Sequence, residues 1–299
     1  MSYLTFWTRR AGSMRAIHGL WLVAFALPLR LLGQTPTPAT PEPAKAPPDT
    51  TKGKGAPFFH RTDMYVAAGF VGATMAFFPL DENIAIKLQN PNTQANQFAN
   101  NTAKAFEFFG AAGPYIIGGS LYAAGWVSHK PGLRDLGWHG VESVIYAQAL
   151  TGVLKGVLGR ARPFVVNDSN PHDFKFFGGF SDADRTSFPS GHTTTAFAAA
   201  ASVTSEARRH WPDKWWSTWL IGPVLYGGAT MVGISRMYHN KHWASDVVMG
   251  AAIGTVSGYK VVDYSHAHPD NRLDRLILRT SAVPTPDGGV RVGFVLETP

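Results

Sequence analysis

Six long apolar stretches constrain the fold of this 299-residue chain more than any other feature. Most of them are too long for β-strands, and no regular alternation of apolar and polar residues runs through them. Alanine, glycine and aromatic residues fill them. We therefore predict an all-α fold, a helical bundle of about six core helices. The stretches cover approximately residues 64–79, 104–127, 139–158, 193–208, 215–234 and 244–262.

The N-terminal part differs in composition from the rest of the chain. A basic region with Arg9, Arg10 and Arg15 precedes an apolar stretch. This order indicates a signal peptide for export or an N-terminal anchor over residues 1–34. Residues 35–57 are rich in proline, threonine and alanine, and we predict a disordered linker there.

The helical domain is expected over residues 58–270, with its active site in loops at one end of the bundle. The longest polar insert, at about 163–189, is dense in turn residues and is predicted to be a long loop. A C-terminal tail follows over residues 271–299. Two β-prone runs flank an Asp-Gly-Gly turn at residues 287–289, which predicts a small hairpin.

The net charge of +7 and the pI of about 9.6 favour anionic partners such as phosphates or membrane surfaces. We expect no nucleic-acid partner, because the chain has no nucleic-acid-binding motif and no dense basic stripe. The absence of cysteine excludes disulfides and thiolate metal sites. The sequence does not indicate an oligomeric state.

Two short strings carry residues suited to holding a phosphate group. In the first, Lys155 lies seven residues before Arg162, which is two turns of a helix, so both cations are predicted to lie on one helix face. Pro163 then disfavours continuing that helix. In the second, a Pro-Ser-Gly turn precedes an alanine-rich helix. The start of that helix offers free N–H groups and the positive end of a dipole. Ser190 adds a hydroxyl, Gly191 permits close approach, and His192 lies at the mouth.

The third string, SRMYHNKHWASD at residues 235–246, raises a choice between a metal site and a nucleophile. His239 and His242 are three residues apart, and Asp246 follows His242 by four. Arg236 lies in the same string, so the site is suited to an anion. We therefore predict no metal site in this chain, and for His239 only a loop role.

Together the three strings resemble the signature of the type 2 phosphatidic acid phosphatase and vanadium-dependent haloperoxidase superfamily. That signature is K-x6-RP, then PSGH, then SR-x5-H-x3-D, and no position departs from it here. The resemblance spans about residues 105–260. The resemblance to this superfamily implies a catalytic set of His242, His192 and Asp246. It also implies phosphate binding by Lys155, Arg162, Ser190, Gly191 and Arg236.

The same roles follow from the chemistry of these residues. Three cations neutralise one phosphoryl group, and fixed donors stabilise the charge that spreads over its oxygens. Neutral His242 can attack phosphorus and form a phosphohistidine, while Asp246 accepts its Nδ1 proton and leaves Nε2 free. Protonated His192 can donate to the leaving oxygen and then activate water. We predict a metal-independent phosphatase that needs no cofactor.

Two other functions share this pocket. In a vanadium-dependent haloperoxidase, His242 would bind vanadate and His192 would assist peroxide chemistry, as the resemblance implies. Such enzymes are usually much longer chains, which favours the phosphatase. A non-catalytic binder of lipid head groups is the third hypothesis, and the complete set of His242, His192 and Asp246 disfavours it.

The expected substrate is a phosphorylated lipid or a small phosphoester, so membrane contact is expected. Stretches 108–128 and 215–235 carry no charged residue and are long enough to span a membrane. In a six-span topology, however, an export signal would turn the active site toward the cytoplasm. The sequence therefore favours a domain exported to the cell envelope, periplasmic or resting on the membrane. An integral multi-pass protein is the alternative.

Overall fold

The computed structural model describes residues 61–268, Asp274 and two strands at 280–284 and 290–294. The predicted export signal and linker lie outside the described residues. Within residues 61–268 the chain is mainly helical, as predicted, and forms nine α-helices. They are α1 (Arg61–Phe77), α2 (Asp81–Leu88), α3 (Pro91–Gln94), α4 (Gln97–Gly110), α5 (Gly113–Val127), α6 (Pro131–Leu158), α7 (Gly191–His210), α8 (Ile221–Tyr238) and α9 (Ala244–Ala267).

The helix boundaries differ from the apolar stretches in three places. The stretch 104–127 is divided into α4 and α5, because the backbone at Ala111 leaves the helical region (φ −116°, ψ −105°). The first turns of α6 precede its apolar stretch, since Pro131 is well suited to start a helix. A π-helical turn, Trp216–Leu220, precedes α8.

Helix α7 lies at the centre of the bundle, packed against α6, α8 and α9. Its contact with α9 is close because glycines recur at every fourth residue of α9: Gly250, Gly254 and Gly258. A Cβ atom at Gly254 would lie only 2.4 Å from the carbonyl oxygen of Thr194. The backbones of the two helices therefore touch through positions where no side chain fits.

Helix α6 ends at Leu158, before the second cation of the first string. Gly159 adopts the left-handed conformation (φ 58°) that terminates many helices. Arg162 therefore lies beyond the helix, so the prediction that Lys155 and Arg162 share a helix face was wrong. The chain turns back instead, and Ala161 N–H donates to the carbonyl oxygen of Asp173 at 2.9 Å.

The long polar insert is a loop, as predicted, but it has internal order. It contains three short 3₁₀ turns, Pro163–Val166, Gly178–Phe180 and Ala183–Arg185. Arg160 and Phe174 form an isolated antiparallel bridge that ties it to the end of α6. These contacts fold the insert back over the C-terminal end of α6.

In the C-terminal tail, β1 (Thr280–Pro284) pairs antiparallel with β2 (Val290–Phe294), with Thr280 opposite Phe294. The pairing agrees with the predicted hairpin. The turn at residues 287–289 lies outside the described residues.

Several helices expose large apolar side chains. On α1, Met64 and Tyr65 are 72% and 79% exposed, and Ile116 on α5 and Ile145 on α6 are also exposed. Among the described residues, two helical segments of 28 residues are long and apolar enough to cross a membrane: Arg61–Leu88 and Pro131–Leu158. Length and composition alone support this.

Candidate active site

A polar cavity of about 450 Å³ lies where α6 ends and α7 begins. Six of the eight predicted site residues line it, drawn from all three sequence strings. Its lining comprises Gly110, Ala111, Tyr115, Gln148, Lys155, Arg162, Thr186, Gly191, His192, Thr195, Arg236 and His242. The fold thus brings the three strings to one place.

Two of the cations are held by oxygen atoms of the loop that covers α6. The Lys155 ammonium donates to the backbone carbonyl of Thr186, and Arg162 Nη2 donates to the Thr186 hydroxyl at 2.9 Å. Within residues 61–268, neither cation forms an ion pair with a carboxylate. Arg162 therefore offers its positive charge to an anion in the cavity. Burial and the neighbouring Arg162 lower the pKa of Lys155 to about 7, and a bound anion would favour its protonated form.

The third cation, Arg236, has a carboxylate partner that the sequence did not indicate. Its Nη1 donates to Glu107 Oε1 of α4, and the same oxygen lies 2.7 Å from Nδ1 of His239. Glu107 thereby fixes the position of Arg236 at the cavity wall. His239 has a contact beyond the loop role predicted for it, because it shares this carboxylate.

The imidazole of His242 is buried, and its orientation differs from the prediction. Nδ1 lies 2.7 Å from the backbone carbonyl oxygen of Ser187 and 3.5 Å from Asp246 Oδ2. A carbonyl oxygen only accepts, so Nδ1 carries the proton and Nε2 keeps its lone pair. The expected tautomer results, but Ser187 rather than Asp246 is the nearer acceptor.

Asp246 is fully buried because three donors occupy its carboxylate. Arg160 Nη1 donates to Oδ1, while the Ser187 hydroxyl and Trp243 N–H donate to Oδ2. Arg160 also binds the buried Asp81 of α2, with 2.7 Å between Nη2 and Oδ2. A buried Asp–Arg–Asp network therefore supports the histidine from behind.

The pKa values of the two site residues His242 and Asp246 are both lowered. Burial, aided by the cations Lys155 and Arg162, lowers the pKa of His242 to about 3 despite the opposing effect of Asp246. Burial alone would raise the pKa of Asp246, but the Arg160 guanidinium and its hydrogen-bond donors hold it below the usual range. At neutral pH the pair is a neutral imidazole beside a carboxylate.

The start of α7 places His192 in the cavity. Burial and the cationic Arg236 lower its pKa to about 4, so the free protein holds it neutral at pH 7. Gly191 also lines the cavity. Ser190 is fully buried, and its hydroxyl accepts from Thr193 at 2.9 Å. The structure therefore does not place the Ser190 hydroxyl on the cavity wall, contrary to the prediction.

A second cavity, apolar and about 420 Å³ in volume, adjoins the polar one. At three places along the chain, one residue lines the apolar cavity and its neighbour in sequence lines the polar cavity. Phe109, Pro114 and Ala196 line the apolar cavity, while the residues next to them in sequence line the polar cavity. The two cavities therefore share a wall built from α4, α5 and α7.

Comparison with known proteins gives one family and several relatives. Residues 137–269 match the PAP2 superfamily. A lipid A 1-phosphatase of Porphyromonas gingivalis is 46% identical over 72 residues, 24% of this chain and 15% of that protein. A lipid A 1-phosphatase of Rhizobium johnstonii is 32% identical over 38% of this chain and 41% of its own length. An undecaprenyl-diphosphatase of Sulfolobus acidocaldarius is 26% identical over 48% of this chain and 62% of that protein.

The matched segments thus cover less than two thirds of these relatives. Among solved structures, a transmembrane PAP2-type phosphatidylglycerolphosphate phosphatase of Bacillus subtilis aligns with a TM-score of 0.46 and 20% identity, over 68% of this chain and 95% of that one. Aquifex aeolicus LpxE aligns with a TM-score of 0.44 and 23% identity, over 62% of this chain and 96% of that one.

Proposed function

Because residues 137–269 match the PAP2 superfamily, we propose that this chain is a phosphatase that hydrolyses phosphate esters or diphosphates of lipids. The reaction proceeds through a phosphohistidine on His242 and requires no metal ion. The observation that carries the proposal is the polar cavity. There, two cations without carboxylate partners face the unprotonated Nε2 of a buried, neutral imidazole.

In the first step, His242 Nε2 attacks phosphorus while Lys155, Arg162 and Arg236 hold the phosphoryl oxygens. A nitrogen–phosphorus bond forms and the bond to the leaving oxygen breaks. His192 gives its proton to that oxygen. The three cations stabilise the charge on the equatorial oxygens because they are already in position.

In the second step, His192 takes a proton from water, and the water oxygen attacks phosphorus. The nitrogen–phosphorus bond breaks, and inorganic phosphate leaves with His242 neutral again. His192 must be protonated for the first step, although its pKa is about 4 in the free protein. A bound phosphate offsets the charge of Arg236 and Lys155, which raises this pKa.

A lipid substrate is supported by the apolar cavity that shares a wall with the polar one. If the cations hold the phosphate group of a lipid, the apolar tail of that lipid would lie beside Phe109 and Pro114. Proteins named for lipid A and undecaprenyl substrates are among the similar chains. These observations favour a lipid phosphate over a small phosphoester.

The exposed apolar side chains of α1, α5 and α6 support association with a membrane. The helices would hold the cavity close to the lipid surface from which the substrate comes. We also propose that the protein is located in the cell envelope. Its export would depend on the N-terminal segment, which lies outside the described part of the chain. Washing membranes with carbonate and then with detergent separates peripheral from integral association.

The decisive experiment measures phosphate release from a long-chain lipid phosphate, a prenyl diphosphate and p-nitrophenyl phosphate, all in detergent. The wild type should cleave the lipid substrates with the higher kcat/KM. His242→Ala should lose at least about 10⁴-fold in kcat. Rapid quenching at high pH, where phosphohistidine survives, should trap phosphoprotein in the wild type but not in this variant. His268→Ala, a partly exposed histidine beyond the last turn of α9, is the matched control.

Three results would contradict the proposal. Activity retained by His242→Ala would exclude His242 as the nucleophile. Bromination with vanadate and peroxide, without phosphate release, would favour the haloperoxidase. Loss of activity on adding EDTA, with the helical circular dichroism and the Tm both unchanged, would contradict the metal-independent mechanism.

A further inference from the structure

A second group of titratable side chains lies at the opposite end of α6, α7 and α9. It is called the distal cluster and has four members, one or two from each of these helices. Along α7, fourteen residues separate His192 from Glu206, a rise of about 21 Å. The distal cluster is therefore separate from the cavity described above. Its members are His139 of α6, Glu206 and His210 of α7, and His266 of α9.

Three imidazole nitrogens converge on one buried carboxylate. His139 Nδ1 lies 2.6 Å from Glu206 Oε1, and His266 Nε2 lies 3.0 Å from the same oxygen. His210 Nε2 lies 3.4 Å from Glu206 Oε2. Glu206 is fully buried, and His139 nearly so. From this convergence we propose that the distal cluster is a binding site for one divalent transition-metal ion of the Zn²⁺ class.

The ligand chemistry matches such an ion. Imidazole and carboxylate groups bind Zn²⁺, Co²⁺ and Ni²⁺, and four ligands complete a tetrahedral Zn²⁺ site. Metal–ligand bonds of about 2.0–2.1 Å place tetrahedral ligand atoms about 3.3 Å apart. The separations from Glu206 run from 2.6 to 3.4 Å. These separations from Glu206 are within about 1 Å of that value, while His210 lies in a group with Glu206 and Asp135 and would have to move toward His139 and His266 to complete the set.

A second observation concerns the far side of the His139 ring. Nε2 of His139 has no hydrogen-bond partner among the described residues, although it is buried. It faces Asp274 Oδ2 at 3.8 Å, and Glu142, whose Oε2 is buried without a hydrogen bond, lies in the same group. A metal bound at Nδ1 fixes the proton on Nε2. That N–H then points at carboxylates, the outer-shell arrangement common for metal-bound histidines.

Charge favours a cation as well. Asp135 lies 3.0 Å from His210 Nε2, so four carboxylates (Asp135, Glu142, Glu206 and Asp274) surround three imidazoles. Among the ion pairs of the described residues, none joins Glu206 or Glu142 to lysine or arginine. A cavity of about 440 Å³, which His210 and Trp211 line, lies beside His210 of the cluster. The bound ion would join α6, α7 and α9 at the end away from the polar cavity.

The test uses the full-length protein, freed of metal with chelator and then dialysed. One equivalent of Zn²⁺ per chain should bind and raise the Tm, and Co²⁺ should give the visible absorption of a tetrahedral site. His266→Ala removes a ligand whose side chain is 32% exposed, so the fold tolerates it. It should weaken Zn²⁺ binding by at least about 10-fold. His210→Ala should do the same, whereas His268→Ala and His242→Ala should bind like the wild type.

A folded wild type that binds no Zn²⁺ and whose Tm is unaffected by it would overturn the proposal and leave a metal-free ionic network. Equal loss in His268→Ala would assign the binding to surface histidines. Loss in His242→Ala would place the ion in the polar cavity. None of these results requires phosphatase activity, so this site and the proposed function stand or fail separately.

Discussion

Helices α6, α7 and α9 are built in opposite ways at their two ends. At the polar cavity, Lys155 and Arg162 have no carboxylate partner within residues 61–268, so positive charge faces an opening. At the distal cluster, four carboxylates surround three imidazoles, and Glu206 is fully buried. The same three helices therefore offer an anion site at one end and a cation site at the other. Helix packing does not decide the ligand; the residues at the helix ends do.

The largest effect should come from removing the guanidinium that supports the cavity. Arg160→Met leaves Asp81 and Asp246 buried without their shared partner, since all three side chains are fully buried. Breaking such a pair costs about 3–5 kcal/mol. We expect that loss in the free energy of unfolding, measured with denaturant in detergent.

Arg185→Met is the matched control, because Arg185 pairs with Asp173 at a partly exposed site. It should cost less than about 1 kcal/mol. Equal stability of the two variants would mean that the cavity end does not depend on its buried network. The comparison of the two ends would then need revision.

The contact that joins the two ends should come second. Gly254→Ala forces a Cβ atom against the carbonyl oxygen of Thr194, and overpacking of this kind costs about 1–3 kcal/mol. Gly228→Ala on α8 is the control, because a Cβ there meets no atom within 4 Å. It should be neutral or stabilise the helix by up to about 1 kcal/mol.

The free energies of unfolding of Gly254→Ala and Gly228→Ala, measured with denaturant, test this expected difference in stability. If Gly254→Ala weakens both phosphate release at the cavity and Zn²⁺ binding at the distal cluster, α7 and α9 couple the ends. An unchanged stability would mean that the helices can separate at Gly254 without loss.

The smallest effect concerns the protonation of His192. Its pKa is lowered to about 4 by burial and by Arg236, so an anion that offsets Arg236 must raise it. We expect bound inorganic phosphate to raise the pKa by about one to three units. Titration of the His192 Cε1–H signal by NMR, with and without phosphate, measures the change.

His192→Asn assigns the NMR signal. At a fixed pH, adding phosphate should leave the Cε1–H signals of the distal-cluster histidines unchanged, which tests whether the two ends are electrostatically separate. A His192 pKa that phosphate does not change would contradict its role as the acid.

Much of the site was predictable because its residues lie in short strings with fixed spacing. Lys155, Arg162, Gly191, His192, Arg236 and His242 all line one cavity, as the three strings indicate. Ser190 does not, because its hydroxyl bonds within the first turn of α7. Local sequence cannot decide between a hydroxyl that faces a ligand and one that binds its own helix.

The supporting residues were missed for a different reason. Glu107 precedes Arg236 by 129 residues, and Asp81 precedes Ser245, which it also binds, by 164. Arg160 lies inside the variable gap of the first string. The distal cluster joins three separate helices. A spacing rule detects none of these contacts, because only packing brings the partners together.

The glycine contact between α7 and α9 has a consequence for motion. Two helices whose backbones touch cannot slide past each other without opening a void, so His192 and the loop that carries His242 move together. Substrate entry must therefore depend on the other walls of the cavity. The break at Ala111, between α4 and α5, lies on such a wall.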